Sequence, residues 1–377
     1  MQQEQSIDLQ IVDGSQGVAD FGDDWDDLFA RAVHAPPYLS RAWARTFIEE
    51  ERLPGTPLFI LARSGAKLVA MLPLAIRRVL GARVAVPIGT GEGAYLGLLL
   101  DPDYPAVTEH MAELITSRKV FDVYYSDDLS SEDEATAGLL DNLAKRGYCC
   151  RRVFRRPCLY IRLGCSFDEY LNKQIPKGRR RYKLRYRERK LYKSGGVKVT
   201  RYVGGDITPE VNGRVAAIQL ESWMKSRGAA VLGQPFYQRL LANMAEGGFG
   251  HVWLMTINGE DAAFVYSFVA HRQHHYFWPA FKLKYESSLS VGQILLMQVI
   301  RDCCADGVVH FDFIHGDAEY KRFWATDSYT VYRVVAGRGF TGRLIAAFYY
   351  FVLRLVRIKW VRSSLRRIRT SWRRLRQ

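Results

Sequence analysis

The chain has 377 residues, of which 48% are hydrophobic and 13% aromatic. This length allows two domains of ordinary size, and this composition excludes a largely disordered protein. The formal net charge is +15, but residues 173–193 alone carry +10 and residues 341–377 carry +11. The rest of the chain is therefore net acidic, which excludes a nucleic-acid-binding surface spread over the whole protein.

The first 125 residues combine helix and strand patterns. We expect a strand over residues 7–12, an acidic amphipathic helix near 23–32 and a second helix that begins after Ser40, a good N-cap residue. Trp43 and Phe47 are four residues apart, so they share one face of that helix, which favours a core position over a substrate contact. Two apolar runs around Ser64-Gly65 predict a hairpin over residues 57–76.

A glycine cluster occupies residues 89–93. It lacks the Lys-Ser/Thr ending and the immediate helix of a P-loop, so it predicts a turn. A helix near 106–115, a strand over 120–125, a helix near 135–146 and strands around 149–162 follow, and we expect a linker near 163–167.

The order of these elements recurs later in the chain. The predicted hairpin at 58–76 corresponds to one at 252–270, and Phe121-Asp122-Val123 corresponds to Phe311-Asp312-Phe313. The two offsets, 194 and 190 residues, differ by only four. The pattern therefore indicates a duplicated unit.

The first basic segment predicts a helix over about 177–192 that ends at Gly195-Gly196. Leu184 and Leu191, together with Tyr182 and Tyr186, alternate with Arg and Lys along it and form an aromatic stripe. Three interpretations remain open: a solvated helix whose aromatic stripe packs on the body of the protein, one wall of a cleft for an anionic substrate, and a nucleic-acid-binding helix.

Residues 262–324 predict a hairpin, a polar turn, an apolar helix and a buried strand. Ser290 is a plausible N-cap of the helix, and Gly292 lies in its first turn, where free N–H groups suit a phosphate. The strand over 308–314 is apolar on both faces, as an interior strand is. We expect its end to deliver the following residues to one rim: Asp312, His315, Asp317, Tyr320 and Lys321.

The C-terminal segment begins near residue 338. Residues 344–353 are apolar but too few to span a bilayer, and apolar and arginine positions then alternate at helical spacing. Such a helix is typical of an anionic membrane surface, with docking on the protein itself or on a partner as the alternative.

The segment Ser290-Val291-Gly292-Gln293-Ile294-Leu295-Leu296, followed by Phe311-Asp312-Phe313, Gly316-Asp317, Tyr320-Lys321 and Trp324, resembles GNAT-type acyltransferases. The resemblance is to the branch of CelD-like polysaccharide-biosynthesis proteins and, more distantly, to FemAB-type aminoacyltransferases. It implies an α/β (α+β) fold of two tandem GNAT-like domains, with mixed, mostly antiparallel sheets flanked by helices and a C-terminal basic amphipathic helix. The expected parts are a degenerate domain over residues 1–163, a catalytic domain over 164–338 and the tail over 339–377.

The same resemblance implies roles for single residues. The pantetheine arm would lie along the strand over 263–270. The residues implied for catalysis are Glu221, Tyr320, Lys321 and Asp312; for the cofactor, Ser290, Val291, Gly292, Gln293 and Phe268; and for the acceptor, Trp223, His315, Asp317 and Trp324. Glu221 would be the general base, Tyr320 the general acid and Lys321 a ligand for an anion or oxyanion. A structural carboxylate, a packing tyrosine, a core tryptophan and a surface lysine are the alternatives.

The expected reaction is transfer from acetyl-CoA or another acyl-CoA to an amine or hydroxyl of a sugar or cell-envelope precursor. The alternative is a catalytically inactive scaffold of the same fold at the membrane surface. We expect an anionic membrane surface as partner through residues 344–377, and no nucleic acid.

Neither metal binding nor disulfide formation is expected. His274 and His275 are neighbours on a strand and point to opposite faces, so they cannot share an ion. The six cysteines have no C-x-x-C spacing, and Cys303-Cys304 are expected to be structural thiols. A polar N-terminus predicts no secretory signal, so we expect a reduced, cytoplasmic protein at the inner face of the cell membrane.

Overall fold

The structure is a computed structural model that describes residues 7–14, 18, 21–32, 34–175, 177–193 and 195–355. The chain divides into two compact units. Unit 1 comprises Met1–Ala32, Leu53–Arg155 and Val331–Gln377, and unit 2 comprises Val33–Arg52 and Arg156–Thr330. Unit 1 includes Val331–Gln377, which the sequence assigned to the end of the catalytic domain and to the tail, and unit 2 includes Val33–Arg52, which the sequence assigned to the N-terminal domain.

Thirteen strands and thirteen α-helices are present in the described residues. The strands are β1 (Ile7–Asp13), β2 (Thr56–Ser64), β3 (Lys67–Val79), β4 (Ala82–Pro87), β5 (Leu99–Leu100), β6 (Val123–Ser130), β7 (Cys149–Arg162), β8 (Val197–Val203), β9 (Gly250–Ile257), β10 (Glu260–Ala270), β11 (Gln273–Phe281), β12 (His310–Asp312) and β13 (Asp327–Gly337). The helices are α1 (Gly22–Arg31), α2 (Arg41–Glu49), α3 (Val107–Ser117), α4 (Glu134–Lys145), α5 (Phe167–Gln174), α6 (Arg179–Lys193), α7 (Pro209–Leu220), α8 (Trp223–Ser226), α9 (Pro235–Glu246), α10 (Leu283–Leu289), α11 (Val291–Ala305), α12 (Glu319–Trp324) and α13 (Gly339–Leu355). Short 3-10 helices lie at Pro37–Leu39 and Gly204–Asp206.

Unit 1 contains a sheet in the order β1-β2-β3-β4-β6-β13, with β5 paired to β3. All neighbours are antiparallel except β4 and β6, which are parallel through Val84↔Val123 and Ala85↔Tyr124. Helices α3 and α4 bury their apolar faces against this sheet, and α13 packs through Ile345 and Ala346 on a second apolar cluster. The glycine cluster at 89–93 forms turns, as predicted.

Unit 2 repeats this plan. Its strand order is β7-β12-β11-β10-β9-β8, and among its described strands one pair, β11 and β12, is parallel. In both units an antiparallel hairpin is followed by another strand, a helix and a strand parallel to the one before the helix. The predicted duplication and the predicted class, mixed α/β with mostly antiparallel sheets flanked by helices, are therefore confirmed.

Helix α2 belongs to the core of unit 2. The Ser40 side chain accepts a hydrogen bond from the Trp43 amide at 3.3 Å, so the predicted N-cap is confirmed. Trp43 is fully buried, and its ring lies 5.4 Å from that of Phe47 and 6.1 Å from that of Phe268. The predicted core position of Trp43 and Phe47 is confirmed.

Two expectations differ from the structure or lie beyond it. The polar turn expected before α11 contains a helix, α10, because Leu283 to Leu289 complete two turns before Ser290 adopts a left-handed conformation with φ 56°. The predicted amphipathic tail is described only as far as α13; residues 356–377 lie outside the described residues. Within the described ranges no helix combines the length and the apolar character that crossing a membrane requires.

Candidate functional site

A fork between two strands of unit 2 sets the position of the site. β11 and β12 pair in parallel only through Gln273↔His310, His274↔Phe311 and His275↔Asp312. β12 then ends, whereas β11 continues to Phe281. From Tyr276 onward, β11 is paired only on its β10 side in the described part of the chain. The two strands therefore leave an opening beside β11.

A cavity of about 790 Å³ occupies this region. Its apolar walls come from β10, β11, α11 and α12, and its polar rim comes mainly from α6 and α12. The lining includes Arg180, Lys183, Arg187, Trp223, Tyr276, Phe281, Glu286, Gly292, Gln293, Tyr320 and Trp324.

Helix α6 turns a cationic face to the cavity. Arg180, Lys183, Leu184 and Arg187 all line it, and their spacing of i, i+3, i+4 and i+7 places them on one face of the helix. Leu184 and Leu191 of the predicted stripe are buried in the core, whereas Tyr182 and Tyr186 are 66% and 52% exposed, so only the leucines pack on the body of unit 2. Among the three interpretations, the geometry favours the wall of an anionic cleft.

The first turn of α11 already holds an anion. The Gly292 amide donates to Oε2 of Glu286 at 2.9 Å, and the Arg187 guanidinium donates to the Gln293 side chain. Burial raises the pKa of Glu286, although the Gly292 hydrogen bond and the charge of Arg187 oppose this shift. The N–H group proposed for a phosphate thus donates its hydrogen bond to a carboxylate of the preceding helix.

One sequence argument about this turn needs correction. Ser290 precedes α11 as predicted, but its side chain makes no capping hydrogen bond, because Glu286 fills that role. Gly292 lines the cavity, and a Cβ atom there would lie 2.7 Å from Cδ1 of Phe281. A larger residue at this position would therefore have to displace the Phe281 ring.

A buried network holds the loop after β12. Asp312 accepts hydrogen bonds from the Tyr329 hydroxyl and, at 2.5 Å, from the Ile314 amide. Lys321 Nζ donates to the carbonyl oxygens of Phe313 at 2.7 Å and His315 at 2.5 Å. Ile314 has φ 57°, which is strained for a β-branched residue. Both side chains therefore fasten a strained turn.

Lys321 is buried, with 8% of its surface exposed, and it does not line the cavity. Burial lowers the pKa of its ammonium to about 8, and the charge of Asp312 opposes this shift. An oxyanion contact would have to break one of its two carbonyl hydrogen bonds or use its third proton. The geometry thus gives Lys321 a positioning function for the neighbouring Tyr320.

Tyr320 and Trp324 bring polar groups to the cavity from α12. Burial raises the pKa of Tyr320 to about 12, so its phenol stays protonated at neutral pH. Trp324 is fully buried, and within the described residues its indole N–H has no hydrogen-bond acceptor. A buried donor without a partner is uncommon and is a plausible contact for a ligand.

The remaining predicted residues lie elsewhere. Phe268 is buried among Tyr38, Trp43, Tyr266, Phe277 and Trp278, away from the cavity lining. Its strand, β10, has both edges paired to β9 and β11, so a pantetheine arm cannot add to it; the available edge belongs to β11. Val291 is a core residue.

Glu221 ends α7 and pairs with Lys282 at 2.9 Å, and Asp317 is exposed and pairs with Arg322 at 2.5 Å. His315 is half-buried and contributes its carbonyl to Lys321. None of these three lines the cavity, whereas Trp223 does.

Sequence reasoning did not single out Arg180, Lys183, Arg187 and Glu286. The three basic residues could have been found from the sequence, because their spacing of three and four residues places them on one face of α6. Glu286 gave no such signal, since its contact with Gly292 depends on the path of α10.

The buried histidines and cysteines belong to the core. His274 stacks on Phe311, whereas His275 packs against Tyr38, so the two rings point to opposite faces as predicted. Cys303 Sγ lies 3.3 Å from His274 Nδ1, a pairing that the sequence did not reveal. Burial raises the pKa of Cys303 and lowers that of His274, so neither group is charged at neutral pH. Over the described ranges, no group of three or more His, Cys, Asp or Glu could hold a metal ion.

Comparison with known families identifies the segment that contains this site. Residues 178–322 match the acetyltransferase (GNAT) domain. The match begins just before α6 and includes every cavity-lining residue except Phe323 and Trp324. No curated protein sequence matches the chain.

Several solved structures have a similar fold. FemX has a TM-score of 0.61 at 12% identity, with 86% of this chain and 96% of that chain covered. The C-terminal domain of an Agrobacterium fabrum protein named as a lysylphosphatidylglycerol synthetase has a TM-score of 0.54 at 13% identity, with 90% of this chain and 96% of that chain covered. A conserved protein of unknown function from Bacteroides thetaiotaomicron has a TM-score of 0.50 at 12% identity, with 87% of this chain and 100% of that chain covered. At these identities the likeness shows the fold alone.

The domain match confirms the enzyme class that the sequence predicted. The protein is an acyltransferase with a GNAT-type domain, and all residues that line the cavity except Phe323 and Trp324 lie inside that domain.

We predict that Lys321→Met lowers the free energy of unfolding by about 2 kcal/mol or more, because two buried carbonyls lose their donor. The control is Lys284→Met, since Lys284 is half-exposed and pairs with Glu260 at the surface. That change should stay within about 0.5 kcal/mol. Urea unfolding of both variants makes the comparison, and equal losses would contradict the positioning function of Lys321.

Proposed function

We propose that the protein is an acyl-CoA-dependent acyltransferase, in the simplest case an N-acetyltransferase, that modifies an amine or hydroxyl of a sugar or cell-envelope precursor. The observation that carries the proposal is the cavity of unit 2, which combines apolar walls with a cationic rim inside the GNAT-type segment. Its volume falls within the range of about 300–1,000 Å³ found for small-molecule sites.

The two ends of the cavity suit the two ends of an acyl-CoA. The phosphates fit the face of α6 that carries Arg180, Lys183 and Arg187, because guanidinium groups bind phosphate through paired hydrogen bonds. The pantetheine arm and the acyl group fit the apolar walls beside the unpaired edge of β11. Gln293 and the Gly292 amide add donors at the start of α11.

The reaction needs a proton acceptor for the attacking nucleophile and stabilisation of the leaving thiolate. Tyr320 is the proposed partner of the sulfur. A thiol has a pKa of about 8.5, well below the value of about 12 for this phenol. Tyr320 therefore stabilises the thiolate by donating a hydrogen bond, and the proton itself comes from solvent or the acceptor.

The other roles follow from position. The indole N–H of Trp324 is a suitable donor to the thioester oxygen, where negative charge develops during attack. Glu221 remains the proposed base, two residues before Trp223, and its ion pair with Lys282 must loosen for it to take a proton. Lys321 and Asp312 position α12.

One observation favours the second candidate, an inactive scaffold. The Glu286 carboxylate occupies the Gly292 amide that a pyrophosphate would use. A donor must displace this side chain to bind there, and a scaffold would keep it in place. The charge of Arg187 beside Glu286 supports the enzyme, since the guanidinium can hold either anion.

The CelD-like branch, the polysaccharide or envelope acceptor and the anionic membrane surface contacted through residues 344–377 are part of the same proposal. So is the cytoplasmic location at the inner face of the membrane. An acceptor attached to a lipid would place the reaction at that surface, which the basic C-terminal segment suits.

We predict that Arg187→Ala weakens binding of acetyl-CoA about tenfold, because a phosphate loses a charge-assisted hydrogen bond. Arg189→Ala is the matched control, since it removes the same charge from an exposed position of α6 outside the cavity lining. Titration calorimetry measures both. If the wild-type protein binds no acetyl-CoA at millimolar concentration, the scaffold is the better description.

The Glu286 carboxylate predicts a pH dependence of donor binding. Its raised pKa means that acid conditions neutralise it earlier than an ordinary glutamate, and the neutral form repels phosphate less. Affinity for CoA should therefore rise as pH falls from 7.5 toward the pKa of Glu286.

In Glu286→Gln, affinity should be roughly tenfold higher at pH 7.5, and this pH dependence should disappear. Glu319→Gln, which changes another cavity carboxylate, controls for the titration of the CoA phosphates themselves. A Glu286→Gln variant with unchanged affinity would exclude competition between the carboxylate and the donor.

We predict that Tyr320→Phe lowers kcat by about 10- to 100-fold and changes KM for acetyl-CoA little, because its hydrogen bond strengthens only as the thiolate forms. Release of free thiol from acetyl-CoA, with a panel of amino sugars as acceptors, gives the rates. Tyr285→Phe is the control, since that hydroxyl binds the exposed Glu260 at 2.7 Å. An unchanged rate in Tyr320→Phe would remove Tyr320 from the mechanism.

A further inference from the structure

Helix α13 of unit 1 carries an exposed apolar face. Phe340, Leu344, Phe348 and Phe351 follow one another at spacings of four, four and three residues, so they lie on one side of the helix. Their exposed fractions are 82%, 54%, 66% and 59%. We call these four residues the apolar ridge. Contiguous exposed apolar surface of this kind marks an interaction site.

The other side of α13 is anchored to the sheet of unit 1. Ile345 and Ala346 are buried in a cluster with Val84, Val123 and Val335. The Arg77 guanidinium also donates to the Tyr349 hydroxyl at 3.3 Å. The helix cannot rotate the apolar ridge inward without exposing this cluster.

The tip of the β3–β4 hairpin lies close to the anchored side of α13. Leu80 is 85% exposed and has φ 49°. Val79, the residue before it, packs against the cluster that anchors α13. Arg77 and Arg78 next to this tip are both exposed. The exposed Leu80 side chain therefore lies beside the cationic side chains of Arg77 and Arg78, close to α13.

Cations also border the helix itself. The guanidinium groups of Arg151 and Arg354 lie 4.8 Å and 5.4 Å from the centre of the Tyr350 ring. In the sequence, residues 341–377 contain eleven Arg or Lys and no acidic residue. The ligand of this surface must accept apolar side chains and carry negative charge.

We propose that the apolar ridge and Leu80 dock unit 1 on an anionic lipid bilayer. The phenylalanines enter the boundary between headgroups and acyl chains, and the arginines contact lipid phosphates. A second copy of this chain is a poorer occupant, because a symmetric contact would bring the same cations together. The inference rests on the membrane partner of the proposed function and assigns it to particular residues; it is independent of the acyl donor.

The test measures binding of the full chain to vesicles by flotation. Wild-type protein should bind vesicles of equal parts phosphatidylcholine and phosphatidylglycerol at least tenfold more tightly than phosphatidylcholine alone. The double variant Phe348→Ser/Phe351→Ser should lose about tenfold in affinity for the mixed vesicles, and Leu80→Ser should also lose affinity. Phe154→Ser, at another exposed phenylalanine of unit 1, should bind as wild type does.

Each other outcome overturns the inference in a distinct way. If the wild type binds the mixed vesicles and the ridge variants bind equally well, the docking residues are misassigned, although the membrane partner survives. If the wild type binds neither vesicle, both the inference and the membrane part of the proposed function fail. If the ridge variants convert a dimer to a monomer in light scattering without lipid, the occupant is a second copy.

Discussion

Three residue pairs between β11 and β12 control the architecture of the site. If the pairing continued, the backbone of β12 would close the edge of β11 and no cavity would exist beside it. The chain leaves the pairing through Ile314 in a left-handed conformation, which costs on the order of 1–3 kcal/mol. Asp312 accepts from the Ile314 amide, and Lys321 donates to the carbonyl oxygens on either side of Ile314 in the sequence, so both side chains hold that turn. Two buried ionisable residues, Asp312 and Lys321, thus stabilise the turn that leaves the edge of β11 unpaired.

The second constraint is electrostatic. Helix α6 concentrates cations that repel one another, and its one acidic residue, Glu188, pairs with Arg301 of α11. Arg181 and Arg187 donate to the neutral side chains of Asn172 and Gln293, so these contacts leave the positive charge of the helix uncompensated. Four cationic side chains line the cavity, Arg180, Lys183, Arg187 and Arg322, against two carboxylates, Glu286 and Glu319. That imbalance of charge, and not the net charge of the chain, indicates an anionic ligand.

The sequence predicted those parts of the fold that depend on local pattern. The hairpins, α6, α11, the Ser40 cap and the buried Trp43 all follow from spacing or from a single capping residue. Phe268 could not be placed in this way, because the pattern of a strand does not show whether its edges are paired or which aromatic cluster covers it. Glu286 and Lys321 were hidden for another reason: a charged residue in a polar segment looks exposed until the path of the neighbouring helix is known.

Each unit is built from segments that are distant in the sequence, and this affects the order in which the chain can fold. In the strand order of unit 1 the last strand is β13, which comes late in the sequence. In the strand order of unit 2 the first strand is β7, and two helices separate it in the sequence from the next strand of that unit, β8. Unit 1 therefore lacks an outer strand until almost the whole chain has been synthesised. During translation one edge of β6 therefore remains unpaired while unit 2 is synthesised. A truncated chain that stops before residue 331 would retain this open edge, and open strand edges promote aggregation.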